Sequence, residues 1–163
     1  MGGKLLGGRK VSREEARDIT MEFATKYEYY IEKYEICGSY RRGKDELGDI
    51  DLVIVVSKDK ILQLGMEIQK EHDVPWSHKR KSILYNGVQL EVHICQQDHL
   101  GAMLLYATGS GGYNAELRLY AAERGYKLNR YGLWAEGIRI AGRTETSIYE
   151  ALGKPWKEPE DRS

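Results

Sequence analysis

The sequence predicts an α+β fold. Three observations carry that expectation: a β-branched run from Asp49 to Ser57, two alternating segments either side of Asn86-Gly87, and stretches around them whose apolar residues recur at helical spacing. Residues 1–8 hold four glycines and are expected to be mobile. Ser12-Arg13-Glu14-Glu15 has the form of a capping box and opens a helix to about Tyr30. Tyr34 to Cys37 reads as a short strand that feeds a glycine-bearing loop. Asp49 to Ser57 is a strand, Lys58 to Glu71 a helix, and Pro75 an interruption. Ser82 to Tyr85 and Val88 to Cys95 form a hairpin about Asn86-Gly87.

From Gln97 the character changes. Asp98 to Ala107 and Tyr113 to Arg124 read as helices, separated by Thr108-Gly109-Ser110-Gly111-Gly112. Arg124-Gly125 resembles a helix end. Tyr126 to Trp134 and Ile138 to Ile140 suggest a small sheet that turns at Glu136-Gly137. Thr144 to Leu152 is a last helix, ended by Gly153 and Pro155.

At 163 residues the chain is one domain, or two small subdomains sharing a cleft. Its residues are 41% hydrophobic and 31% charged, and its mean hydropathy is −0.59, as expected of a soluble chain with a core. No apolar run reaches membrane-span length and no signal peptide opens the chain, so an intracellular location without a membrane partner is expected. Cys37 and Cys95 are isolated thiols that imply neither zinc nor a disulfide framework, and the four histidines show no ligand spacing. The net charge of zero argues against tight electrostatic binding of nucleic acid by the chain as a whole. Local basic patches run from Lys4 to Arg17, over His78-Lys79-Arg80-Lys81, and at Lys127 and Arg130. A nucleic-acid role must therefore rest on a local site, with weak and salt-sensitive binding.

The segment from Gly38 to Val56 carries the chemistry. Side chains alternate along a strand, so Asp49 and Asp51 point the same way, about 6–7 Å apart, with Ile50, Leu52, Ile54 and Val56 opposite. Two neighbouring carboxylates repel, and a hard cation such as Mg2+ relieves that by taking carboxylate and phosphate oxygens together. Gly38 lets the backbone approach a ligand, Ser39 offers a hydroxyl, and Arg42 can fork onto phosphate oxygens. Together they predict metal-dependent nucleotidyl transfer. The competing reading is an exposed strand start with two solvated acids. Further on, Gln89, Glu91 and His93 share one strand face. Glu91 is the candidate third carboxylate, and spacing alone equally allows a solvent-facing glutamate.

At this point the chain resembles the family X DNA polymerases, the group that contains polymerase beta. The resemblance rests on Gly38-Ser39-Tyr40-Arg41-Arg42-Gly43-Lys44, Gly48-Asp49-Ile50-Asp51, Tyr106-Ala107-Thr108-Gly109-Ser110, Asn114, Arg118, and Gly125 through Leu133. The ending Glu158-Pro159-Glu160-Asp161-Arg162 also looks like that family's terminus. The family's amino-terminal regions have no counterpart, so a bare palm and thumb is expected. The resemblance implies a nucleotidyltransferase palm, with a mixed sheet and flanking helices, over residues 1–96. A small α/β thumb subdomain follows over 97–163.

It also implies roles. Asp49, Asp51 and Glu91 would hold two Mg2+ ions, with Mn2+ able to substitute. Gly38, Ser39, Arg42 and the Gly48 backbone would hold the triphosphate of a dNTP, and Lys10 lies where the family has a phosphate-contacting arginine. Tyr106 and Gly109 would underlie the incoming sugar and base. Asn114 and Arg118, four apart on one helix face, would line the minor-groove side of the nascent pair, with Asn129 and Tyr131 near the template. Without the resemblance Tyr106, Gly109, Asn114, Arg118, Asn129 and Tyr131 read as structural, and Lys10 equally as an exposed lysine.

The implied activity is DNA-directed DNA synthesis on a primer 3′-hydroxyl, filling short gaps in primer–template or gapped DNA. A monomer is expected, with an accessory protein plausible. The alternatives are a template-independent or other-acceptor nucleotidyltransferase and a catalytically impaired nucleic-acid-binding module. Four departures from the family pattern stand out: Glu91 for an aspartate, Gln89 for an arginine, Ala107 for an aromatic, and Arg130 for a glutamate. They bear on rate, on sugar selection and on thumb closure.

Overall fold

The computed structural model describes residues 8–74 and 80–163. The glycine-rich opening through residue 7, the interruption at Pro75 and the side chains of the basic cluster at 78–81 lie outside the described residues. Among the described residues, no helix is long and apolar enough to cross a membrane.

Strand β1 (Val11–Ser12) leads into helix α1 (Arg13–Lys26). The Ser12 hydroxyl accepts from the Glu15 N–H at 3.1 Å, as the capping box requires. The Glu15 carboxylate does not return to the cap; it takes two hydrogen bonds from the Arg9 guanidinium. Ala16, Ile19, Thr20 and Phe23 form the buried stripe of α1. Helix α1 ends at Lys26, short of the expected Tyr30, and strand β2 (Ile31–Ile36) starts earlier than expected. The glycine-bearing loop closes into one helical turn, α2 (Gly38–Arg41).

After β3 (Glu46–Leu47), which pairs with β1, come β4 (Ile50–Val56) and helix α3 (Ile61–His72). The hairpin strands β5 (Arg80–Tyr85) and β6 (Val88–Cys95) follow. Asn86 and Gly87 both have positive φ, 52° and 77°, as a two-residue turn between twisted strands demands. The main sheet runs β2-β4-β6-β5 and is mixed, with β4 antiparallel to β2 and parallel to β6. Helix α3 lies in the crossover between the parallel pair.

Both faces of the central strands are covered. Ile50, Leu52, Ile54 and Val56 pack with Phe23 of α1 and with Leu64 and Ile68 of α3. Val53 and Val55, on the other face, pack with Leu100, Met103 and Ala107 of helix α4 (Leu100–Thr108) and with Cys37 and Cys95. Burial pushes the Cys95 thiol up to about 12 and the Cys37 thiol higher still, so both stay protonated and inert. Every residue of β6 is buried. The polar face expected there is therefore interior, because α4 lies across it.

The second unit comprises helix α5 (Gly111–Glu123), strands β7 (Tyr126–Asn129), β8 (Gly132–Ala135) and β9 (Ile138–Ala141), and helix α6 (Glu145–Leu152). Leu117, Leu133, Ile148 and Leu152 form its core together with Leu105 from the far side of α4. Gly111 and Gly112 belong to α5 rather than to a loop, because the Ser110 hydroxyl caps the helix by accepting from the Tyr113 N–H. The expected run from Tyr126 to Trp134 is split into a hairpin. The Asn129 side-chain oxygen closes it, accepting from the N–H groups of Tyr131 and Gly132 and from the Trp134 indole.

Candidate active site

One cleft gathers side chains from both units. Gly38, Ser39 and Arg42 enter from α2 and its end, Gly48, Asp49 and Asp51 from the approach to β4, and Glu91 and His93 from β6. Tyr106, Ala107, Gly109, Gly111 and Asn114 close the opposite wall. Asp51 stands directly across from Glu91 in the parallel register of β4 and β6. One ligand atom each from Asp51, Glu91 and His93 all lie within 4.8 Å of one another. Asp49 is buried and lines the same cleft from the bend before β4, outside that closest group.

The solvent-facing reading of Glu91 fails: the residue is 4% exposed. The Gln89 amide and the Ser82 hydroxyl both donate to its Oε1, at 3.1 and 3.2 Å. Gln89 thus contacts the acid as a neutral donor where the family pattern has a charged one. Histidine ligand spacing is absent from the sequence, yet His93 Nε2 lies 3.3 Å from Asp51 Oδ1. The alternation that places His93 on the Glu91 face is the available signal for it. Burying two carboxylates side by side is costly unless a positive partner joins them.

Gly38 is what allows Asp51 its place. Its φ is +57°, and a Cβ built there would lie 2.1 Å from Asp51 Oδ2. Arg42 donates from Nη1 to the Thr108 carbonyl at 2.6 Å, and a guanidinium has further N–H donors to offer a ligand.

Arg41, adjacent in sequence, serves a different purpose. It forks onto Glu145 at 2.9 and 2.6 Å and donates to the Thr108 hydroxyl at 2.8 Å. Arg162, fully buried, donates to Glu145 Oε2 at 2.8 Å. Burial pulls the Arg41 guanidinium down, but the hydrogen bonds and charge of Glu145 outweigh it, and the net shift is upward. This charge network ties α2 to the end of α4 and to α6. Nothing in the local sequence around Arg41 distinguishes it from Arg42.

The remaining candidates divide. Tyr106 accepts from Arg130 through its hydroxyl at 3.2 Å, with that guanidinium 4.6 Å above its ring. The Asn114 amide donates to the Tyr106 carbonyl at 2.9 Å. Asn114 and Tyr106 also border an adjoining crevice that includes Arg118 and Asn129. The Asn129 oxygen is already engaged in the β7–β8 turn. Tyr131 packs edge-on against His99, with ring centroids 5.3 Å apart, and borders neither the cleft nor the crevice. Lys10 is exposed, lies 3.4 Å from Glu46, and is not part of the cleft lining. Ala107, near the end of α4, lines the cleft and also belongs to the core between α4 and the sheet, so an aromatic there would crowd Val53 and Met103.

The family description DNA polymerase beta palm matches residues 10–111, and DNA polymerase beta thumb matches residues 103–163. The chain is 26% identical over 170 residues to the repair DNA polymerase X of African swine fever virus, covering 97% of this chain and 98% of that protein. It is 37% identical over 75 residues to DNA polymerase IV of Saccharomyces cerevisiae, covering 46% of this chain and 13% of that protein. It spans 28% of the length of rat DNA polymerase lambda, at 27% identity. In three dimensions it is similar to Leishmania infantum polymerase beta, solved as a ternary P/T complex. The TM-score is 0.78 at 20% identity, over 95% of this chain and 77% of that one.

Proposed function

The chain belongs to the DNA polymerase beta family, and from that premise we propose that it is a DNA-directed DNA polymerase that extends a primer 3′-hydroxyl across short gaps. The observation that carries this is the facing pair Asp51 and Glu91, set beside Gly38, Ser39 and Arg42 in one cleft. The substrate is a deoxynucleoside triphosphate, and the polymer partner is a primer–template or gapped duplex.

The donor set fits divalent cations: carboxylates from Asp49, Asp51 and Glu91 converge on one cleft. Bound Mg2+ would supply Lewis-acid stabilisation of phosphoryl oxygens and lower the pKa of the attacking hydroxyl. The chain's own residues do the rest. The Ser39 hydroxyl and the Arg42 fork hold phosphate oxygens, and the Thr108 carbonyl fixes the direction of that fork. Tyr106 and Gly109 form the floor under sugar and base. Asn114 and Arg118 lie one turn apart on α5, on one helix face, and would meet the minor-groove edge of the nascent base pair. Acceptors there are common to all pairs, so these residues test pair shape rather than sequence. Asn129 contributes through its remaining amide donors. Lys10 would contact phosphate and Tyr131 the template strand, each from outside the cleft lining.

Mg2+-dependent extension of a gapped duplex, run with each template base, tests this reading. Incorporation should follow the template, and activity should fall with salt because binding rests on local contacts between basic side chains and phosphates. Equal incorporation of all four nucleotides opposite every template base would defeat it.

Gly38→Ala provides a geometric test. The new methyl displaces the Asp51 carboxylate, and misplacement by about an ångström costs roughly a hundredfold in rate. Primer-extension kinetics should show that loss with a native circular dichroism spectrum. Full activity in the variant would mean that Asp51 is not needed where it stands.

A further inference from the structure

We propose that His93 is a direct nitrogen ligand to the cation held by Asp51 and Glu91, and that it adds affinity for transition ions while leaving that for Mg2+ nearly unchanged. The inference rests on the metal-site reading above and deepens it. His93 follows Glu91 by two positions on β6, so both side chains leave the same face of the sheet, the face under α4. It is 3% exposed. Its Nε2 lies 3.3 Å from Asp51 Oδ1, and its Nδ1 has no hydrogen-bond partner among the described residues.

The three donors already form a close set, within 4.8 Å of one another. Metal–ligand bonds of about 2.1 Å put ligand atoms about 3–4 Å apart, so modest rotation of the carboxylates closes the set. The chemistry of the donors then sets the preference. Mg2+ favours oxygen ligands and gives up water reluctantly, whereas an imidazole nitrogen suits Co2+, Zn2+ and, less strongly, Mn2+.

A purely structural role makes a different prediction. If His93 served only as a hydrogen-bond donor to Asp51, a glutamine amide could replace it without changing the choice of ion. The ring is braced by packing: its centroid lies 6.1 Å from that of Tyr106, edge to face.

The test uses the full chain stripped of metal with a chelator. Pulsed electron paramagnetic resonance on the Mn2+-loaded protein should show 14N coupling from a bound imidazole. Titrations with Co2+ and Mg2+ should give Co2+ affinity weakened by about tenfold or more in His93→Gln, and Mg2+ affinity changed by less than about threefold. Circular dichroism establishes that the variant is folded. Because the nitrogen coupling is read on the unmodified protein, the test stands even if the variant does not fold. Absent Mn2+ binding, bound Mn2+ without nitrogen coupling, or an equal effect of the substitution on both ions would overturn the inference. Nitrogen coupling without primer extension under any cation would uphold it and defeat the polymerase reading. Templated extension without nitrogen coupling would do the reverse.

Discussion

Asp51→Asn removes nucleotide incorporation, with an expected loss in kcat/KM of about 10³-fold or more, equivalent to roughly 4 kcal/mol of transition-state stabilisation. The substitution keeps the shape of the side chain, and an amide oxygen can still meet His93. The backbone ladder between β4 and its neighbours is untouched. What disappears is one negative charge beside Glu91 and the cation affinity that goes with it. Stability should move the other way. Two carboxylates packed together repel, so the metal-free variant should melt at the same temperature as the parent or above it. Primer-extension kinetics with a thermal melt in chelator check both halves. Activity within tenfold of the parent would place the reaction elsewhere in the chain.

Glu145→Gln has the largest expected effect on stability. The glutamate carboxylate is 6% exposed and takes hydrogen bonds from Arg41 and from Arg162, which is fully buried. The substitution keeps the side-chain volume and removes the charge, which leaves two guanidinium groups facing each other without an anion. Breaking a buried ion network by removing one partner typically costs about 3–5 kcal/mol. For a chain of this length that corresponds to a fall in Tm on the order of 10 °C. Nucleotide KM should also rise, because Arg41 fastens the turn that carries Ser39 and Arg42 to Thr108. Urea denaturation would show a lower midpoint at unchanged slope. Replacing Arg41, Glu145 and Arg162 together by apolar residues should cost far less than the single change, since no charge is then stranded. A Tm within about 2 °C of the parent for Glu145→Gln would mean that solvent reaches the network and that it contributes little.

Much of the fold is legible in the chain. The β4 run, the Asn86-Gly87 hairpin, the Ser12 cap and the closing helix after Thr144 all follow from local periodicity and turn chemistry. Helix α1 is shorter than its pattern suggests, because Tyr27 to Tyr30 continues an amphipathic-looking run while its hydrogen bonds form turns. The burial of Gln89, Glu91 and His93 is not legible from their own segment, which alternates like a half-exposed strand. A signal lies further on: Leu100 to Ala107 is apolar on nearly every side, and a helix of that kind needs cover on more than one face. The contact between His93 and Asp51 joins residues 42 apart in sequence, and that between Arg41 and Glu145 joins residues 104 apart. No local pattern reports either.

From residue order alone came most strands and helices and the glycine turn before β4, because each depends on neighbours within a few positions; Asp49, expected within that strand, lies in the bend before it. The tertiary arrangement settled the rest: that α4 packs across the sheet beside β4 and β6, that His93 meets Asp51, and that a glutamate from the last helix holds Arg41 of the glycine turn. Those outcomes depend on which distant surfaces exclude water from one another. Burial then sets how strongly the charges they enclose attract or repel.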